Sequence, residues 1–260
     1  MAEFSTVKYA TQGATAVITI SRPDAMNSFN TELRSDLMAA FRLADRDDGI
    51  RVIVFTGEGR SFSAGADLKG SLSIGSTVEQ QLQEEYRPVF EMIMNTGKPV
   101  IAAVGGSAAG IGMSFALTCD LLIMAESAFL LAPFTTISLV PDGGLNWLLV
   151  QQLGYRRAFQ LCIESERIPA PRCVELGLAN RAVPANDLMT EALAWAESIA
   201  ERAPLSIAAT KKAMRFALEN SWGATYDIEA EMQDSLRGSE DCVEGVTAFF
   251  EKRKPEFKGK

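Results

Sequence analysis

One recurrence constrains the fold more than any other feature of this chain. Short runs rich in Val and Ile, at Ala16–Ile20, Val52–Phe55, Val100–Val104 and Leu121–Ala125, read as strands, and helical patterns fall between them. Leu33, Leu37 and Phe41 repeat at four-residue spacing after Asn30-Thr31, a plausible helix cap. Val78, Leu82, Val89, Phe90 and Ile93 outline a second amphipathic helix, stopped by Gly97 and Pro99. Strands alternating with helices imply a largely parallel, buried sheet. From about Asp187 the pattern changes: Asp187–Arg202, Pro204–Glu219, Ala224–Arg237 and Asp241–Lys252 all read as helices with no strand between them. The sequence therefore predicts an α/β body over residues 1–200 and a helical region over 201–260, in one compact unit without a low-complexity linker or an exact repeat.

Two of the strands run into turns stripped of large side chains. Residues 59–70 read GRSFSAGADLKG, and residues 103–114 read AVGGSAAGIGMS before a helical stretch. Small residues let another group approach the main chain, and a helix start presents unpaired N–H groups with a partial positive charge. Each turn alone is equally well a tight strand-to-helix connection. A phosphate loop is excluded because no G-K-[ST] follows the glycines, and no G-x-G-x-x-G of a dinucleotide site is present. Two turns that bare backbone N–H groups suggest a two-donor oxyanion hole.

Composition narrows the chemistry. The 260 residues are 47% hydrophobic and 22% charged, which suits a globular chain with a sizeable core. Pro99–Cys119 is uncharged, but its glycines and hydroxyl residues fit a strand, a turn and a buried helix better than a membrane span. Met1–Ala10 lacks the blocks of a secretory signal, and four cysteines without a C-x-x-C pair suit a reducing cytoplasm. A net charge of −8 argues against a nucleic-acid surface, although Lys252–Lys260 is locally basic and by itself reads as a solvated tail. There is no histidine. The commonest general base and zinc ligand is thus missing, and acid–base work falls to carboxylates, Lys, Tyr or Cys.

A third stretch, Pro133-Phe-Thr-Thr-Ile-Ser-Leu-Val-Pro-Asp-Gly-Gly-Leu145, sets Asp142 ahead of the apolar run Leu145–Val150. By itself this is an Asp helix cap. Taken in order with Ser21–Asn27, Phe62–Leu68, Gly106–Asp120, Leu139–Gly144 and the terminal Phe249–Lys254, it resembles the crotonase superfamily of enoyl-CoA hydratases and isomerases over nearly the whole chain. The resemblance implies a crotonase fold of repeated ββα units with C-terminal helices that build trimers or dimers of trimers. It implies an acyl-CoA thioester as substrate, with coenzyme A as part of that substrate and no further cofactor or metal. By position it assigns the oxyanion donors to the N–H groups of Ala64 and Ile111. It assigns substrate and CoA contacts to Arg22, Ala25, Ala66, Asp67, Leu68, Gly110, Gly112 and Phe134, and the nucleotide end to Phe249 and Lys252. Gly70–Ser76 corresponds to a variable loop that lines the acyl pocket in relatives, where small residues could admit a branched or ring-bearing group.

Hydratases of that family carry two glutamates, whose positions here hold Ser114 and Phe134, and neither side chain can do their work. Asp142 instead matches the acid of the Δ3,Δ2-enoyl-CoA and ring-epoxyphenylacetyl-CoA isomerases. One carboxylate suffices for an allylic shift, provided burial raises its pKa toward neutrality. The expected activity is therefore isomerisation through Asp142, with hydration and a non-catalytic acyl-CoA binder as the alternatives.

Overall fold

A computed structural model describes residues 4–69 and 77–260 of the chain, so the loop Gly70–Ser76 singled out above lies outside the described residues. The expected strands form, within a six-stranded sheet. β1 (Val7–Gln12) and β2 (Thr15–Ile20) make an antiparallel hairpin. Beside β2, β3 (Val52–Gly57), β5 (Val100–Val104), β7 (Leu121–Ala125) and β10 (Arg181–Val183) run parallel. β5 is buried along its whole length, which is why VIAAV carries no polar alternation.

A second sheet was not apparent in the strand patterns. β4 (Ser61–Ser63), β6 (Ser107–Ala109) and β8 (Phe129–Leu131) pair in parallel, and β9 (Ile168–Pro169) adds an antiparallel edge. β3, β5 and β7 of the large sheet are each followed by a strand of the small sheet and then by helix, the repeated ββα unit. The corner between strands is tight: a Cβ on Gly106 would lie 2.0 Å from the Arg60 carbonyl oxygen, so only glycine fits there.

The helices follow from local signals. α1 (Thr31–Arg46) starts at Asn30, whose side chain accepts the Leu33 N–H at 2.9 Å. α2 (Val78–Gln81) passes through a π-type turn, Leu82–Tyr86, into α3 (Arg87–Asn95). α4 (Ile111–Thr118) is buried on every side, which accounts for the uncharged stretch around it. α5 (Leu145–Leu153), α6 (Tyr155–Glu164) and α7 (Ala170–Glu175) lead to α8 (Leu188–Ala200), which packs on β2, β3, β5 and β7. α9 (Pro204–Ala217), α10 (Trp222–Arg237) and α11 (Glu240–Glu251) complete the chain.

α9 is fastened by charge. Lys211 donates to the Ile93 and Lys98 carbonyls and pairs with Asp120 at 2.7 Å, while Arg215 donates to the Thr118 carbonyl and pairs with Asp120 at 2.8 Å. The two cations thereby satisfy orphan carbonyls at the ends of α3 and α4. The basic tail is not simply solvated: the Asp241 carboxylate accepts the N–H groups of Lys258 (2.6 Å) and Gly259 (2.8 Å), folding it back on α11. Among the described residues no helix is long and apolar enough to cross a membrane.

Candidate active site

The two glycine-rich turns meet through their backbones. A Cβ on Gly110 would stand 3.7 Å from Gly65 Cα, and one on Gly112 would stand 2.7 Å from Ser63 Cβ. Ser63 also braces its own turn, donating to the Asn27 carbonyl (2.8 Å) and accepting the Gly65 N–H (3.1 Å). Asn27 adds side-chain bonds to the Glu58 and Ser61 carbonyls at 2.9 and 2.6 Å. The strand and turn thus hold a fixed conformation before any ligand arrives.

Which N–H groups this leaves free corrects the assignment at Ala64. Its N–H donates to the Met26 carbonyl at 2.9 Å and is spent inside the protein. Two residues on, Ala66 bridges Phe29: Phe29 donates to the Gly65 carbonyl (2.8 Å) and Asp67 donates to the Phe29 carbonyl (3.0 Å). That pairing uses the groups flanking Ala66 and leaves the Ala66 N–H without a partner among the described residues. Ile111 is the first residue of α4, and its N–H is likewise unpaired because no preceding turn of helix exists to receive it. Ala66 and Ile111, each one residue past the touching glycines, are the free pair.

Asp142 sits on the loop between Phe134–Ile137 and α5, close against α4. Its main-chain carbonyl accepts Ser114 Oγ at 2.9 Å, and a Cβ on the adjacent Gly143 would lie within 3.0 Å of Phe90, Ser114 and Ile111. Ser114 is therefore committed to holding this loop. The Asp142 side chain caps nothing, since Gly144 stands at the cap position of α5. Its Oδ1 is buried with no hydrogen-bond partner, and burial pushes the carboxyl up from 3.8 to about 6. It opens on a cavity of about 500 Å3 walled by Leu82, Tyr86, Phe90, Trp147 and Leu148.

The remaining candidates divide. Arg22 donates to the Ser28 carbonyl and pairs with Asp67 at 3.1 Å, so their charges offset each other. Ala25 ends the short turn Pro23–Ala25, and Leu68 is exposed. Phe134 is buried, its ring tip about 3.9 Å from where a Gly110 Cβ would stand. Phe249 is exposed on α11, but α11 ends at Glu251 and Lys252 takes a left-handed backbone (φ 55°). The helix read over Asp241–Lys252 therefore stops one residue short, and Lys252 does not continue the helical path from Phe249. Among the described residues, no three His, Cys, Asp or Glu side chains come together as metal ligands.

Sequence reasoning missed Ala66 as a donor, Ser63 and Asn27 as braces, and Tyr86 in the cavity wall with Arg34 bonded to it. Arg34 beside Leu33 on an apolar helix face was the one readable signal for the last pair.

Residues 10–260 match the family model described as enoyl-CoA hydratase/isomerase. The chain belongs to that family. Among related family members, a probable enoyl-CoA hydratase of Rhodobacter capsulatus is 40% identical over 257 residues, covering 99% of each chain. The 1,2-epoxyphenylacetyl-CoA isomerase of Escherichia coli K12 is 34% identical over 251 residues, 94% of each. A crystal structure of an enoyl-CoA hydratase from Bacillus anthracis superposes with a TM-score of 0.93 at 31% identity, covering 98% of this chain and 100% of that one. This family member is thus an enzyme of the hydratase/isomerase group with the crotonase fold.

Proposed function

We propose that the protein is a cytoplasmic enoyl-CoA isomerase that shifts a double bond by proton transfer through Asp142. The observation that carries this reading is one carboxylate with a buried, unpartnered Oδ1, facing a largely apolar cavity on the side of α4 where two backbone N–H groups stay unpaired. The thioester oxygen of a 3-enoyl-CoA sits against the N–H groups of Ala66 and Ile111. Asp142 takes a proton from C2, and the electron pair spreads through the thioester as an enolate held by the two donors. The same carboxyl returns the proton at C4, leaving the double bond between C2 and C3. One well-aimed donor contributes ~3 kcal/mol to such a step. A carboxyl whose pKa is about 6 both accepts and returns a proton at neutral pH. No further cofactor takes part, because coenzyme A arrives with the substrate.

The relatives' names point both ways, and hydration is the second reading, favoured by the Rhodobacter capsulatus likeness. Ser114 and Phe134 speak against it, one being tied to the Asp142 carbonyl and the other carrying no acid. Solvent deuterium should enter the α or γ carbon of a 3-enoyl-CoA with the wild type and not with Asp142→Asn. A panel of 2-enoyl and 3-enoyl esters assayed for water addition as well as double-bond shift separates the two activities. Wild-type water addition without isotope exchange would overturn the isomerase reading.

The helices after residue 203 expose Met214, Trp222, Phe249 and Phe250, each more than two-thirds accessible. These faces support assembly as a homotrimer or a dimer of trimers, in which Phe249 and Lys252 serve the CoA nucleotide of a neighbouring subunit. Sedimentation as a monomer at micromolar concentration would contradict this.

A further inference from the structure

The cavity next to Asp142 holds a second polar group that the proton transfer does not use. Tyr86 closes the π-type turn, is 2% exposed, and lines the cavity together with Asp142. π-Type turns redirect side chains inward and recur at functional sites. The phenol is set by Arg34, itself 2% exposed. Arg34 donates to the Tyr86 oxygen at 3.2 Å, and its guanidinium carbon lies 4.6 Å from the ring centroid. Arg34 is held in turn by Glu85 at 2.6 Å, by the Phe29 carbonyl at 3.3 Å and by Thr31 Oγ1 at 3.0 Å.

A phenol has one proton to give and lone pairs to accept with. Here the cation occupies the acceptor side, so the O–H must be given elsewhere, and a hydroxyl polarised in this way is a stronger donor. Among the described residues nothing accepts that proton. Asp142 lies near enough for its charge to act on the phenol, yet the two do not hydrogen-bond, and Asp142 Oδ1 has no partner either. Burial keeps the phenol protonated, its pKa pushed up to about 12. An unspent donor and an unspent acceptor therefore flank one cavity, whose apolar walls are Leu82, Phe90, Met94, Trp147 and Leu148. Its other polar lining is Gln83, Arg87, Glu91, Thr118 and Glu219, none of which bonds the phenol. Buried polar groups without partners are rare in native proteins and call for a ligand that completes them.

We infer that the Tyr86 hydroxyl donates to an oxygen carried on the acyl group. The preferred thioesters thus bear a hydroxyl, carbonyl or ether oxygen beyond the reacting carbons, in place of a plain hydrocarbon chain. This rests on the acyl-CoA reading above but not on the identity of the base. Sites built to bond a substrate oxygen discriminate strongly against analogues that lack it, because the site's own group is then left unpaired.

Saturated, unreactive esters separate binding from chemistry. Calorimetry on the full-length wild type, Tyr86→Phe and Asp142→Asn should compare pentanoyl-CoA with 4-hydroxypentanoyl-CoA and 5-hydroxypentanoyl-CoA. The better hydroxy ester should bind the wild type ~10-fold more tightly than pentanoyl-CoA, the effect of one polarised hydrogen bond. Tyr86→Phe should erase that gap by weakening the hydroxy ester, and Asp142→Asn should keep it. The wild-type comparison needs no variant to fold. No preference in the wild type, a gap that survives Tyr86→Phe, or equal losses for all three esters would overturn the inference. A gap erased by Asp142→Asn instead would assign the oxygen to the carboxylate and overturn it too. A wild type that binds none of the esters would overturn the acyl-CoA reading and this inference with it. Failure of the isotope-exchange test alone would leave the binding comparison standing.

Discussion

Replacing Asp142 by Asn should make the protein more stable while disabling it, and the stability gain should depend on pH. The carboxyl sits with one oxygen buried and unpartnered, its pKa raised from 3.8 to about 6 by desolvation. Between pH ~4 and ~6 the folded state keeps a proton that the unfolded chain has released, so the wild type loses stability as pH rises through that window. Two logarithmic steps of proton affinity, at about 1.4 kcal/mol each, amount to ~3 kcal/mol of strain, fully present above pH ~6. An amide has no charge to desolvate. Asn should therefore match the wild type near pH 4 and exceed it by up to ~3 kcal/mol at pH 8, or roughly 6–12 °C in melting temperature. Guanidinium melts followed by circular dichroism from pH 4.5 to 8 measure the difference directly. Turnover of a 3-enoyl-CoA should meanwhile fall by several powers of ten with little change in ester binding. Parallel stability curves for the two proteins across this range, or a wild type more stable at pH 8, would refute the claim that burial holds this carboxyl near neutrality.

The same group sets the rate profile: kcat/KM for isomerisation should fall about tenfold per pH unit below ~6, as the base becomes protonated, and Asp142→Asn should lack that limb. Ala66→Pro removes an unpaired N–H and should cost ~10²–10³ in turnover with the fold intact by circular dichroism. Ala64→Pro breaks the bond to Met26 instead, and should appear first as a lower melting temperature. Asp120→Ala strands Lys211, whose side chain is 8% exposed, and should destabilise by ~3–5 kcal/mol in denaturant titration. Lys252→Glu should weaken CoA esters much more than truncated pantetheine thioesters, a gap that shrinks with added salt and whose absence would leave the lysine without a nucleotide contact.

How much could be read beforehand follows from the range of each interaction. Four of the six large-sheet strands were legible, Val52–Phe55 and Val100–Val104 most clearly because they bury both faces and so write themselves as apolar runs. The edge strands β1 and β10 were not. The start of α1 was legible because Asn30 caps locally. The small sheet was not: Ser61–Ser63 and Ser107–Ala109 are too short for a period, and they exist because each pairs with the other across 46 residues. Asp142 stood out by motif, whereas its missing partner and raised pKa depend on packing against α3 and α4. The choice between Ala64 and Ala66 turns on a bridge to Phe29, which no local pattern encodes. For Tyr86 and Arg34 the arginine on the apolar face of α1 was a local hint, but the pairing itself was hidden, their anchor Glu85 lying 51 residues from Arg34.

The touching glycines at 65 and 110 have a consequence for how such a protein can change. The separation of the two free N–H groups is set by main chain resting on main chain, with no side chain between them to be altered. Substitutions in Phe90, Trp147 or the Asp142 loop can reshape the cavity or relocate the acid and leave that spacing untouched. Mutation can thus explore new reactions on the acyl group one wall at a time, while the seat for the anion is inherited unaltered.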